Sequence, residues 1–244
     1  MTPLGQMRGA DRLIVALDVS TVDDALAVVE ELDNVSFFKV GFQLFMSGGL
    51  STLLQSLRDK RVFVDLQRPG DIGNTIRAVI EMCVSNRVAL LTLSESMPPP
   101  AIRSAAAARN AHGPSALKLL TVPFLSSLDV NDLVEMTDTA DDLETYVLKR
   151  AKRALDAGCD GVIASGAAIE WCRNAFPHPT LIVSPGIRPE GAAADDQKRH
   201  TTPADAIRFG ADYLVVGRPI LRAPDPRAAA DRVIGEIEAA LQSA

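Results

Sequence analysis

Eight short apolar runs, each closed by a glycine, proline or polar residue and followed by a helical pattern, constrain this chain more than any other feature. They fall at 13–17, 37–40, 62–66, 89–93, 117–122, 161–164, 181–183 and 213–216. Amphipathic stretches lie at 22–32, 74–82, 101–109, 143–157, 204–209 and 225–241. The runs are continuously apolar and do not alternate, which is what parallel strands covered on both faces require. Strand alternating with helix eight times in 244 residues predicts an α/β chain folded as a (β/α)8 TIM barrel, with 1–244 as one domain. An open doubly wound sheet is the alternative, and the even spacing of eight units favours closure. The stretches 128–142 and 188–202 are long for barrel connections and predict lid-like loops on one rim.

Composition narrows the function classes. The 25 Lys+Arg against 31 Asp+Glu leave a formal charge of −6, which gives no reason to expect a nucleic-acid partner. The three cysteines, Cys83, Cys159 and Cys172, include no CxxC pair, so neither a disulfide framework nor a cysteine-built zinc site is expected. Reduced, partly buried thiols are the expectation. No apolar run is long enough for a membrane span, and the first residues lack the pattern of a signal peptide, so a soluble cytoplasmic protein is expected. His112, His178 and His200 follow no metal spacing and read as surface or loop residues; no metal site is expected. Trp171 and the pair Phe37 and Phe38 read as packing residues.

In a barrel of this kind chemistry sits at the C-terminal ends of the strands. Those ends carry Asp18, Lys39, Asp65, Gln67, Ser94, Ser126, Ser127, Ser165, Arg188, Gly217 and Arg218. A charge inside or just after an apolar strand is costly to bury unless it is paired or used. A rim salt bridge explains any single one of them; Lys39 and Asp65 together, on neighbouring strands, point to chemistry. Arg188 and Arg218, each flanked by Gly and Pro, follow the last two strands, the usual phosphate cradle of barrel enzymes. A phosphorylated small molecule is therefore the expected substrate class. Neither Ser126 nor Ser127 sits in a nucleophile-elbow motif.

Five segments carry a family resemblance: Arg12-Leu13-Ile14-Val15-Ala16-Leu17-Asp18, Phe38-Lys39-Val40-Gly41, Ser184-Pro185-Gly186-Ile187-Arg188-Pro189, Asp196-Gln197-Lys198-Arg199, and 212–219. In this order and spacing the chain resembles bacterial orotidine 5′-phosphate decarboxylase from about Arg12 to Leu241. The resemblance implies a homodimeric barrel acting on a nucleoside monophosphate, with no cofactor. It implies that Asp18 binds the ribose and that Lys39 and Asp65 begin an alternating charge array. Asp71, followed by Ile72 and Thr75, matches a stretch that reaches into the partner's site, and Ser126 falls where the pyrimidine is contacted. Arg188, Gln197, Gly217 and Arg218 match the phosphate-binding group.

The match departs at its centre. The family places a proton-donating lysine two residues after the first aspartate, where this chain has Gln67. The aspartates Asp65 and Asp71 are also six positions apart, where the family uses five. A neutral amide cannot donate a proton at a useful pKa, and the guanidinium of Arg68 hardly deprotonates. Lys60 and Lys118 lie at the wrong ends of their strands to replace it. The loop after strand four is unusual as well, with Ser94 and the run Pro98-Pro99-Pro100. Three functions follow as expectations: a decarboxylase making UMP, with activity impaired at Gln67; a diverged sugar-phosphate or nucleotide lyase; or a non-catalytic UMP-binding homologue.

Overall fold

The computed structural model describes residues 7–66, 74–94, 96–113, 117–137, 139–189 and 201–243. Eight parallel strands follow one another around a closed barrel: β1 (Leu13–Ala16), β2 (Phe37–Gly41), β3 (Arg61–Asp65), β4 (Leu90–Leu93), β5 (Lys118–Thr121), β6 (Gly161–Ile163), β7 (Leu181–Ser184) and β8 (Tyr213–Val216). Closure is made by β1 against β8, with Leu13 opposite Leu214 and Val15 opposite Val216. The expected barrel is present.

Within each strand the period of two sorts side chains between two cores. Ile14, Ala16, Phe37, Phe63, Leu90, Leu120, Ile163, Val183, Tyr213 and Val215 fill the barrel interior. Their neighbours Leu13, Val15, Phe38, Val62, Val64, Leu91, Leu119, Val162, Ile182 and Leu214 face the helices. Both faces are buried, which is why the strands read as unbroken apolar runs. The same parity turns Lys39 and Asp65 inward, two residues beyond Phe37 and Phe63, at the end where a barrel keeps its chemistry.

The opposite end is closed by charge and aromatic surface. The Arg61 guanidinium lies 4.0 Å from the Phe37 ring centroid and donates to the Tyr213 hydroxyl at 3.0 Å. Two carboxylates placed one residue before a strand repeat a single device. Asp160, before β6, accepts the Leu119 N–H of β5 at 2.9 Å and pairs with Arg109 and Lys118. Asp212, before β8, accepts the Ile182 N–H of β7 at 2.7 Å and pairs with Arg173 at 2.8 Å. Lys118 is the first residue of β5 and Lys60 precedes β3, so both do stand at the far end from the site.

The helices depart from expectation in detail. Val22–Glu31, Asn74–Ser85, Pro99–Asn110, Leu143–Asp156, Pro203–Arg208 and Pro226–Gln242 match the amphipathic stretches, with shifted bounds. Phe42–Met46, Leu50–Ser56, Ala168–Ala175 and Arg218–Leu221 are helices too short to show a clear period. The stretch 128–142 is not a bare loop: the helix Val130–Thr137 occupies much of it. Of 188–202, residues 190–200 lie outside the described residues, as does His200. All three cysteines are unpaired and buried, more so than expected, and burial pushes each thiol up to about 12. His112 and His178 are exposed.

Candidate active site

The inward-facing strand ends converge on one pocket at the C-terminal mouth of the barrel. Asp18, Lys39, Asp65, Ser126, Ser165, Arg188, Gly217 and Arg218 all line it. Residues from β1, β2, β3, β8 and the loops after β5, β6 and β7 therefore meet, although up to 200 positions separate them in the chain.

Lys39 is the centre of charge. Register sets Lys39 beside Ala16 on one side and Phe63 on the other, so its side chain rises between the ends of β1 and β3. Its ammonium donates to Asp18 Oδ1 at 3.0 Å and lies 3.7 Å from Asp65 Oδ2. Lys39 and Asp65 are largely enclosed, while Asp18 is 49% exposed at the mouth. Burial pulls the Lys39 pKa down, but attraction to Asp65 and then to Asp18 outweighs it, and the net shift is upward from 10.5. The ammonium is thus held charged. Asp65 Oδ1 is sealed from solvent and finds no hydrogen-bond partner among the described residues. A buried carboxylate oxygen left in this state is a source of negative potential aimed at whatever enters beside it.

The other side of the pocket is built for an anion. Arg188 follows β7 and is only 6% exposed; its Nη1 donates to the carbonyl of Ile187 at 3.0 Å. Ile187 and Thr201 form a parallel bridge, and the Arg188 N–H donates to the Thr201 carbonyl at 2.9 Å. Arg218 opens the short helix Arg218–Leu221 directly after β8. At Gly217 a side-chain carbon would stand 3.3 Å from Asp18 Oδ2 and 3.4 Å from the Ala16 Cβ, so a glycine keeps β8 clear of the Asp18 carboxylate.

Four of the expected site residues, Gln67, Asp71, Ile72 and Gln197, lie outside the described residues. Thr75, near the start of Asn74–Ser85, is exposed and does not line this pocket. Neither Ser94 nor Ser127 lines it either; the Ser94 hydroxyl lies 2.9 Å from that of Ser96. The sequence reading missed the apolar wall. Phe63, Val122, Phe124, Leu125, Ile163, Val183 and Val215 complete the lining, and Phe124 is braced edge-on by Tyr146, ring centroids 6.0 Å apart. The inward parity of Phe63, Val122, Ile163, Val183 and Val215 was available as a signal; nothing local marked Phe124 and Leu125. No group of three or more potential metal ligands occurs among the described residues.

Comparison with known proteins agrees with this arrangement. The chain is 45% identical over 232 residues to a Methylococcus capsulatus protein named orotidine 5′-phosphate decarboxylase, covering 93% of this chain and 92% of that one. A Cereibacter sphaeroides protein of the same name is 47% identical, over 93% and 97% of the two chains. The crystal structure of orotidine 5′-phosphate decarboxylase from Lactobacillus acidophilus superposes with a TM-score of 0.78 at 30% identity, covering 92% of this chain and 98% of that one. Residues 11–233 match the orotidine 5′-phosphate decarboxylase / HUMPS family, and the chain belongs to that family.

Proposed function

We propose that this chain is a carboxy-lyase that converts orotidine 5′-phosphate to UMP in pyrimidine biosynthesis, with residues 1–244 acting as one barrel domain. The observation that carries this reading is the enclosed Lys39 ammonium between Asp18 and Asp65, in the same pocket as Arg188 and Arg218. A nucleotide carrying a carboxylate on its base meets both ends of such a pocket.

The phosphate docks on Arg188, Arg218 and Gly217, with Gln197 added from the segment between them. Guanidinium forks suit phosphate oxygens, and charge-assisted contacts of this type are the strong ones. Asp18 takes the ribose hydroxyls at the mouth, and Ser126 the pyrimidine. The substrate carboxylate then faces Asp65, whose Oδ1 has no partner among the described residues. Two like charges in an enclosed site repel, and the repulsion disappears as carbon dioxide leaves. The bond from ring carbon to carboxylate breaks, and its electron pair stays on the ring carbon. The fixed ammonium of Lys39 stabilises that developing negative charge without reorganising. A proton then completes UMP. Gln67 cannot supply it, so water or Arg68 does, and turnover is slow. Side chains alone carry this scheme, with neither metal nor organic cofactor.

Asp71, Ile72 and Thr75 serve the neighbouring site of a homodimer. An apolar face on the rim supports that assembly: Phe42 is 50% exposed, Phe45 43% and Met46 66%, on a helix directly after β2. Three unpaired buried thiols support a reducing, cytoplasmic setting. No helix among the described residues is long and apolar enough to cross a membrane.

The absence of the lysine at position 67 favours one other reading, a UMP-binding protein without turnover. A single-turnover experiment separates the two. Protein in excess over orotidine 5′-phosphate is expected to consume its absorbance and release carbon dioxide slowly. No release, with UMP still bound, leaves the binding reading; failure of both overturns the pocket assignment.

A further inference from the structure

On the outer side of the barrel, a second cleft of ≈ 190 Å³ opens between the helices Pro99–Asn110 and Leu143–Asp156. It is lined by Ser96, Pro98, Ile102, Thr121, Arg150 and Arg153 among others, and shares no residue with the pocket at the barrel mouth. Arg150 and Arg153 sit one turn apart on one helix, where like charges repel. Arg109, on the facing helix, is neutralised by Asp160, and Arg173 by Asp212. Arg150 and Arg153 have no ion pair and no side-chain hydrogen bond among the described residues, and no described carboxylate lines the cleft. The Arg150 Nε is sealed from solvent without an acceptor. Its guanidinium is nevertheless fixed, lying 5.2 Å from the centroid of the Tyr146 ring. A fixed, unmatched guanidinium beside a second one is a site awaiting an anion.

The chemistry of the lining indicates which anion. Pro98, Pro99 and Pro100 have no N–H, so the donors come from side chains and not from a helix terminus. The hydroxyls of Ser96 and Thr121 accompany the two guanidinium forks. A planar carboxylate satisfies one fork, whereas a tetrahedral oxyanion presents oxygens to both and to a hydroxyl. We propose that this cleft binds a phosphate or phosphomonoester on Arg150 and Arg153, separately from the pocket containing Arg188 and Arg218. Residues Ser96 to Pro99, within the stretch that sets the chain apart from the family it resembles, are then one wall of a second site.

Equilibrium dialysis of the full chain against labelled inorganic phosphate tests this. Two phosphates per chain are expected at saturation. The double variant Arg150→Gln/Arg153→Gln should keep one, as should Arg188→Gln/Arg218→Gln, and the two variants should lose different ones, so that combining them abolishes binding. Ser96→Asp, which sets a carboxylate in the cleft, should weaken the second site at least tenfold and carries the test if the double arginine variant does not fold. A parent that binds only one phosphate, lost with Arg188 and Arg218, or two retained without Arg150 and Arg153, overturns the proposal. A parent that binds one phosphate only, lost with Arg150 and Arg153, would count against the barrel-mouth reading and leave this one standing.

Discussion

A side-chain carbon on Gly41 would stand 3.1 Å from Lys39 Nζ, closer than such carbons normally approach a held group. The bare backbone at the end of β2 is therefore what lets the ammonium fold back toward Asp18 and Asp65. Gly41 has a φ of −104°, so alanine fits the backbone there without strain. Gly41 is buried, but the nearest atoms its new carbon meets are the far ends of the Lys39 and Asp18 side chains, so Gly41→Ala should melt within about 1 kcal/mol of the parent. It should lower turnover about tenfold, because displacements of ~1 Å at a reacting centre cost ~10²-fold and this one is smaller. Steady-state rates and thermal melts on the same preparations check both halves.

The pH behaviour of Lys39 follows from its neighbours. Burial opposes its charge, but Asp65 and Asp18 raise its pKa above the ordinary 10.5. A raised folded value means that its contribution to stability is fully present below pH 10.5 and is lost as pH climbs through the folded value. Stability from this triad should therefore stay level from neutrality to about pH 10. Asp65→Asn removes the larger attraction, leaves burial less opposed and moves the lysine titration downward. Carbon-13 titration of the lysine Cε signals, with Lys39 assigned through Lys39→Arg, reads this directly. A parent Lys39 titrating below 10.5 contradicts the geometry.

Arg218→Ala should weaken UMP binding by about 1.5–3 kcal/mol, the usual cost of one charge-assisted hydrogen bond. Calorimetry gives the number. Unchanged affinity would remove the phosphate from this end of the barrel.

The apolar rim helix predicts an assembly phenotype. Phe42→Asp combined with Phe45→Asp should convert a dimer to a monomer in sedimentation at micromolar concentration, and turnover should fall with it. A parent that sediments as a monomer yet binds UMP fully argues against any partner contribution from Asp71 or Thr75.

On the proposed scheme, Gln67 sets the rate. General-acid catalysis is worth ~10²–10⁴-fold, so the parent should fall short of a lysine-bearing enzyme by at least that factor. Gln67→Lys alone leaves the extra residue before Asp71; Gln67→Lys with Gly70 deleted restores a five-residue separation and should exceed both. Loss of orotidine 5′-phosphate absorbance, followed for all three proteins side by side, decides it. A parent as fast as the repaired chain means that another group delivers the proton.

Much of this was legible because a barrel strand writes its geometry in parity. Once Phe37 and Phe63 face inward, Lys39 and Asp65 must do so two residues later, at the chemically active rim. Asp18, Arg188 and Arg218 were visible for the same reason, as polar residues where apolar runs stop. The pairing of Lys39 with Asp18 in preference to a rim partner depends on the register of β1 with β2, which no local pattern encodes. Phe124 and Leu125 escaped notice because they stand on a loop, where side-chain direction follows neither period. The helix Val130–Thr137 was hidden by its eight residues, too few for a period of 3.6 to stand clear of chance.

Asp160 and Asp212 hold β5 to β6 and β7 to β8 from the end of the barrel that carries no chemistry. Strand alignment is thus secured by groups outside the pocket at the barrel mouth. A lineage carrying such a scaffold can exchange a lysine for a glutamine, or insert a residue beside an active carboxylate, and still inherit a folded protein. On the proposed scheme, a departure at position 67 then touches the chemistry and leaves the frame that carries it standing.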